Sequence, residues 1–174
     1  CIPESNALDR LYRIKGRYSG APVSLGVVSL SQASEIVHVP NDVNEILDDF
    51  PEGSLTIILR ARNEMDSRLG GNKVAVRVVS NRTAKELLSR TGPLTATSAN
   101  ISGQEPHLDC VEAAESLRRT GESIVGIDGV CEGGQPSTLI AWHTVCESPE
   151  SLSIEVIREG KVSSEEVLSW WKNR

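Results

Sequence analysis

The sequence predicts an α/β fold: a single domain with a twisted, mixed sheet flanked by helices. Three observations predict it. Short runs rich in Val, Ile and Leu recur along the chain and read as buried strands. Amphipathic stretches with capping residues lie between them, without the strict strand–helix alternation of a doubly wound sheet. The chain has 174 residues, 39% of them hydrophobic, and shows no repeat, low-complexity tract or linker, so one core suffices.

The elements follow in order. Ser5 or Asn6 is placed to cap a helix running to about Ile14, with Leu8, Leu11 and Tyr12 on its apolar side and Gly16 as its stop. Residues 23–28 are a Val- and Leu-rich strand. Two short helices are expected near residues 32–37 and 43–47, and residues 55–59 (Leu-Thr-Ile-Ile-Leu) make a buried strand. Residues 63–72 are polar with a Gly-Gly pair and read as a loop. Residues 74–79 return to the sheet, with Arg77 interrupting the apolar run. Residues 83–89 read as a helix capped by Asn81 or Ser80, and residues 92–103 as a strand followed by a loop. Residues 109–119 are amphipathic and helical, and residues 124–125, 137–141 and 153–157 are further strands. Ser163 and Glu166 form a capping box that opens a last helix through Trp170 and Trp171, read as packing residues.

Composition excludes several function classes. The net charge of −6 argues against non-specific nucleic-acid binding, which depends on neutralising phosphates. Aromatic residues make up 3%, too few for base-stacking platforms. No apolar stretch approaches the roughly 20 residues of a membrane span, and no cleavable signal pattern is visible. A cytoplasmic chain without membrane contact is therefore expected, with a monomer or weak homodimer as the default. Cys1, Cys110, Cys131 and Cys146 form no Cys-x-x-Cys pair, and His38, His107 and His143 are scattered. Free thiols and no protein metal site are the expectation.

The run Gly92-Pro93-Leu94-Thr95-Ala96-Thr97-Ser98-Ala99-Asn100-Ile101-Ser102-Gly103 is the densest chemistry in the chain. Small residues let a backbone approach an anion, and short side chains add donors at low entropic cost. A Ser/Thr-rich turn closing a strand fits the same residues. Lys15 and Arg17 lie at a helix C-terminus, where dipole complementation and anion binding are both open. Arg77 either faces water on an alternating strand or faces a ligand. With Arg158, Ser137 and Thr138, these residues make an anion-binding vocabulary, because arginine forks onto phosphate or carboxylate and lysine acts as a point charge. No hydrolase elbow or Walker loop is present, and Ser98 has no activating base in its vicinity.

Five blocks, in this order, resemble the YrdC-like family of threonylcarbamoyl-AMP synthases. They are Tyr12-Arg13-Ile14-Lys15-Gly16-Arg17, Val74-Ala75-Val76-Arg77-Val78, the Thr97–Gly103 run, Gly133-Gly134-Gln135-Pro136-Ser137-Thr138-Leu139-Ile140 and Val156-Ile157-Arg158-Glu159-Gly160. The resemblance runs from about Leu8 to about Val162. It implies an open α/β fold. It also implies a reaction of ATP, bicarbonate and L-threonine that forms threonylcarbamoyl-AMP and pyrophosphate. That adenylate serves the modification of tRNA adenosine beside the anticodon, so tRNA is met only indirectly, through a downstream transferase complex. By resemblance, Lys15, Arg17, Ser98 and Asn100 match a catalytic tetrad that handles the triphosphate and its Mg²⁺, which arrives with ATP. Arg77 matches the arginine that holds the threonine carboxylate. Ala96 offers backbone at the threonine side, Ser137 matches a residue near the amino acid, and Arg158 one near the nucleotide phosphate. Lys15 and Arg17 are both expected to face solvent.

The chain also departs from the family pattern. Ala21-Pro22 stands where Lys-Pro or Asn-Pro is usual, Gly26 where a polar or basic side chain is usual, and Pro51-Glu52-Gly53-Ser54 where Pro-Gly-Pro is usual. Nothing in residues 1–174 matches the family's N-terminal Pro-Thr-x-Thr-x-Tyr-Gly-Leu strand and loop. The alternative reading is a non-catalytic module of the same fold that binds a nucleotide or double-stranded RNA.

Overall fold

The computed structural model describes residues 1–118, 121–127, 131, 133–146 and 153–174. Six strands form one mixed sheet: β1 (Ser24–Val27), β2 (Leu55–Arg60), β3 (Lys73–Val78), β4 (Leu94–Ala96), β5 (Thr138–Ala141) and β6 (Glu155–Arg158). Their spatial order is β4-β1-β3-β2-β5-β6. β1 runs parallel to β3 and β2 parallel to β5, while the pairs β1–β4, β2–β3 and β5–β6 are antiparallel. This is the mixed α/β sheet that the sequence predicts.

Side chains alternate between the two faces of a strand, so register decides which residues share a face. Leu25, Val27, Val74, Val76, Leu55, Ile57, Leu59 and Ile140 fall on one face, and none is more than 4% exposed. Four helices supply residues to this core: α1 (Ser5–Lys15) gives Leu8 and Tyr12, α2 (Leu30–Ala33) gives Ala33, α3 (Val43–Asp49) gives Val43 and Ile46, and α6 (Ser164–Asn173) gives Val167. The opposite face presents Gly26, Arg77, Thr56, Leu139 and Arg158, one from each successive strand from β1 to β6. A register shift beside Leu139 and Ile140 brings Arg158 level with Leu139. Helix α4 (Arg82–Thr91) covers the Gly26 end of that face. A Cβ at Gly26 would lie 3.3 Å from Val79 and in ordinary contact with Leu88 of α4 at 3.6 Å, so the side chains that close over this end of the face come right up to Gly26.

Most local signals act as expected. Gly16 ends α1 in the left-handed region at φ 57°, Asn81 caps α4 by accepting from the Ala84 N–H at 3.0 Å, and Ser163 with Glu166 forms the capping box of α6. Others differ for identifiable reasons. Neither Ser5 nor Asn6 caps α1; both lie at its start, the preceding residue is Glu4, and the Ser5 hydroxyl turns to Asp66 at 3.4 Å. The helix expected near 32–37 starts at Leu30, because Ser29 accepts from the Gln32 N–H. Val28 leaves β1 because the Gln32 side chain takes its N–H at 2.9 Å. The 63–72 loop contains a 3-10 turn, Ser67–Leu69, capped by Asp66. Ile124 and Val125 are not in a strand, and Val125 is 89% exposed, with no sheet neighbour to reward pairing. Helix α5 (Cys110–Arg118) matches its expected span up to Arg119, which lies outside the described residues. No helix among the described residues is long and apolar enough to cross a membrane.

Candidate functional site

The sequence-predicted residues gather in two groups, one at the C-terminal end of α1 and one along the sheet face that carries Arg77. The first forms where the end of α1 meets the loop after β4. Lys15, the last residue of α1, is 2% exposed. Its Nζ donates to the Ser98 carbonyl at 2.5 Å and to the Asn100 carbonyl at 2.6 Å, and its own carbonyl accepts from the Ser102 N–H at 2.8 Å. The expectation that Lys15 faces solvent is therefore corrected: the Ser/Asn loop folds over it. Burial, with the nearby positive charge of Arg17, lowers its ammonium to about 8.

Arg17 follows the Gly16 turn and is half-buried. Its guanidinium donates to the Ala21 carbonyl at 2.8 Å and the Pro22 carbonyl at 2.9 Å, closing the segment that leads into β1. Asn100 is buried, and its Nδ2 donates to the carbonyls of Ile101 (3.0 Å) and Gln104 (2.5 Å). The Asn100 Oδ1 and the Ser102 hydroxyl are buried without a hydrogen-bond partner. Ser98, by contrast, is exposed. The loop is thus shaped by backbone groups held on a lysine, with neutral oxygens left over for a ligand.

The second group spans β3, β2, β5 and β6. Arg77 is half-buried, and its Nε donates to the Gly53 carbonyl at 2.9 Å. Burial and the charge of Arg158 push its guanidinium below the ordinary value, so the two cations are within electrostatic reach. Arg158 donates to the Ser137 carbonyl at 2.8 Å, and the Ser137 hydroxyl meets the Thr56 hydroxyl at 2.7 Å. Ala96, on β4 opposite Ser24, lies on the same face toward the first group; its carbonyl accepts from the Ser24 hydroxyl at 2.8 Å. Beneath this group the buried Thr138 hydroxyl donates to the Val162 carbonyl and accepts from the N–H groups of Gly160 (3.0 Å) and Val162 (3.1 Å). A Cβ at Gly160 would lie 2.1 Å from the Pro136 carbonyl oxygen, so only glycine lets the segment carrying Arg158 press against Ser137.

Among the described residues, none of Lys15, Arg17, Arg77 and Arg158 has an ion-pair partner, whereas Arg10, Arg68, Lys85 and Arg90 all do. In a chain with 24 acidic residues, these cations stand beside buried hydroxyls without a carboxylate among the described residues, so positive charge collects along the two groups. No cluster of three His, Cys, Asp or Glu side chains able to hold a metal occurs among the described residues. Thr56 and Gly160 were missed by sequence reasoning. Gly160 was legible only as part of a block, and Thr56 lay hidden in an apolar strand.

Comparison with known proteins gives consistent results. The Sua5/YciO/YrdC family, described as "Telomere recombination", matches residues 1–160. A putative threonylcarbamoyl-AMP synthase of Methanocaldococcus jannaschii is 30% identical over 134 residues, covering 77% of this chain and 63% of that protein. The threonylcarbamoyl-AMP synthase of Klebsiella pneumoniae is 30% identical over 171 residues, covering 92% of this chain and 82% of that protein. Among solved structures, Pyrococcus abyssi Sua5 complexed with L-threonine superposes with a TM-score of 0.78 at 26% identity, covering 94% of this chain but 47% of that one. Escherichia coli YciO superposes with a TM-score of 0.74 at 27% identity, covering 96% and 79%. The chain thus spans less than two thirds of the M. jannaschii and P. abyssi proteins.

Proposed function

The chain belongs to the Sua5/YciO/YrdC family, and from that premise we propose that it is a threonylcarbamoyl-AMP synthase. The observation that carries this reading is the pair of groups just described: four cations from the matching sequence blocks, with no carboxylate partner among the described residues, beside Ser98, Asn100 and Ser137. The naming of its relatives as threonylcarbamoyl-AMP synthases and the threonine bound in P. abyssi Sua5 support it.

In this reading the threonine amine takes up bicarbonate with loss of water, giving a carbamate. A carbamate oxygen then attacks the α-phosphorus of ATP, the bond to the bridging oxygen of the β-phosphate breaks, and pyrophosphate leaves. No protein nucleophile is needed; positioning and charge stabilisation supply the catalysis. Arg77 forks onto the threonine carboxylate with Ser137 beside it and the Ala96 backbone on the other side. Arg158 and Arg17 face phosphate charge. Lys15 contributes from beneath, holding Ser98 and Asn100 in place and lending positive charge to their loop. Mg²⁺ carried by ATP would add neutralisation of the triphosphate; it favours oxygen ligands and keeps its waters, and the unpartnered Asn100 Oδ1 and the exposed Ser98 hydroxyl suit that outer support.

The test is pyrophosphate release from ATP, magnesium and bicarbonate, with and without L-threonine. Threonine-dependent release is expected. ATP binding without release would replace this reading with that of a nucleotide-binding module.

A further inference from the structure

Four buried side-chain polar atoms among the described residues lack a hydrogen-bond partner: Ser54 Oγ, Asn100 Oδ1, Ser102 Oγ and His143 Nε2. Asn100 and Ser102 belong to the loop over Lys15, and His143 stands 3.4 Å from Asp42. Ser54 is explained by neither. It is 2% exposed and directly precedes β2. Its carbonyl accepts from the Thr138 N–H at 2.8 Å, which extends the β2–β5 pairing by one residue. By the two-residue period of a strand, its side chain shares a face with Thr56, whose hydroxyl meets that of Ser137. The residue before it, Gly53, holds Arg77 through its carbonyl. The turn is pinned by the Ser54 N–H on the Pro51 carbonyl at 2.9 Å and by the Lys85–Glu52 ion pair.

A buried hydroxyl without a partner costs folding free energy, and such a group calls for an explanation. Here the neighbourhood supplies one. Arg77 spends its Nε on Gly53, which leaves its terminal nitrogens for a carboxylate. Two carboxylate oxygens offer about four acceptor sites, more than one guanidinium edge fills. We propose that Ser54 is a ligand-contacting residue of the amino-acid subsite, its hydroxyl donating to the carboxylate that Arg77 holds. A neutral donor completes the acceptor sites without a further positive charge that would attract phosphate into the same place. The proposal rests on the threonylcarbamoyl-AMP synthase reading. The turn carrying Ser54 is also where this chain departs from the Pro-Gly-Pro usual in the family it resembles, and proline has no such donor.

The experiment compares the parent chain with Ser54→Ala by calorimetric titration of L-threonine and of ATP separately, with Tm measured without ligand. Threonine should bind at least about tenfold more weakly to the variant, the scale of one lost hydrogen bond to a charged group. ATP affinity should stay within about twofold, and Tm should be unchanged or higher, because an unpartnered buried hydroxyl has been removed. Unchanged threonine affinity would overturn the proposal. So would weakening of both ligands with a lower Tm, which marks a structural role. A parent chain that neither binds threonine nor releases pyrophosphate would bring down the functional reading itself. An active parent with an indifferent Ser54→Ala variant would bring down only this inference.

Discussion

Replacing Lys15 by Met keeps an unbranched side chain of similar reach but removes the ammonium that ties α1 to the Ser98–Asn100 loop. The two lost hydrogen bonds come from a charged donor, and at ~1.5–3 kcal/mol each they sum to about 3–6 kcal/mol. Against this stands the cost of keeping the charge buried. The ammonium titrates at about 8 instead of 10.5, with burial as the main cause and Arg17 adding to it. That shift corresponds to about 3 kcal/mol. The difference leaves Lys15→Met about 2 kcal/mol less stable near neutral pH, a fall in Tm of roughly 4–8 °C for a domain of this size. The sign of the pH dependence follows from proton counts. Between about 8 and 10.5 the unfolded chain binds the Lys15 proton and the folded chain does not, so the parent gains stability as pH rises through that window. Lys15→Met has no such group, so the gap between the two proteins should widen by about 3 kcal/mol across the window. ATP affinity of the parent should fall over the same range, as positive charge leaves the loop. Chemical denaturation at a series of pH values, with ATP titrations alongside, measures both. A gap that stays constant or narrows above pH 8 would refute the reasoning.

Two other outcomes follow from the second group. Arg77→Ala should weaken threonine binding by at least about tenfold through loss of a charge-assisted fork, while ATP affinity stays near that of the parent. Titration of each ligand decides this, and a fall in ATP affinity alone would mean that Arg77 is wrongly placed. Thr138→Val keeps the shape but strands the Val162 carbonyl and the N–H groups of Gly160 and Val162, so denaturant unfolding should show a loss of about 2–4 kcal/mol. A loss below about 0.5 kcal/mol would mean that water replaces the hydroxyl at no cost.

The fold was legible where short-range chemistry decides it. The Leu-Thr-Ile-Ile-Leu run, the Gly16 stop, the Asn81 cap and the Ser163–Glu166 box all act within a few residues, and all four hold. Lys15 failed for the opposite reason. A lysine near a helix end ordinarily reaches water, and what buries this one is a loop more than eighty residues away. Ile124 and Val125 failed similarly: two β-branched residues are a strand only if a neighbouring edge receives them. The candidate site residues were legible through the blocks they sit in, but their grouping was not. Nothing local says that Arg77 and Arg158 approach each other, since that depends on β2 and β5 lying between their strands. Ser54 was legible only as part of a turn that departs from the family's Pro-Gly-Pro; its distinction, a buried hydroxyl without a partner, has no local signature.

The strand order has a kinetic consequence. β2 and β3 are joined by a short connection and pair antiparallel, so they can meet early. The parallel pairing of β2 with β5 closes a loop of about eighty residues and waits on chain entropy. Arg158 enters the site only with that late closure, since β6 reaches the sheet through β5. The contacts of Lys15 with the Ser98 and Asn100 carbonyls span 83 and 85 residues and wait on the same chain entropy, so of the site's cations only Arg77, on β3, belongs to the part of the sheet that can pair early. Ligands that need both arginines would then engage only the finished molecule, and their binding would report the last step of folding rather than its beginning.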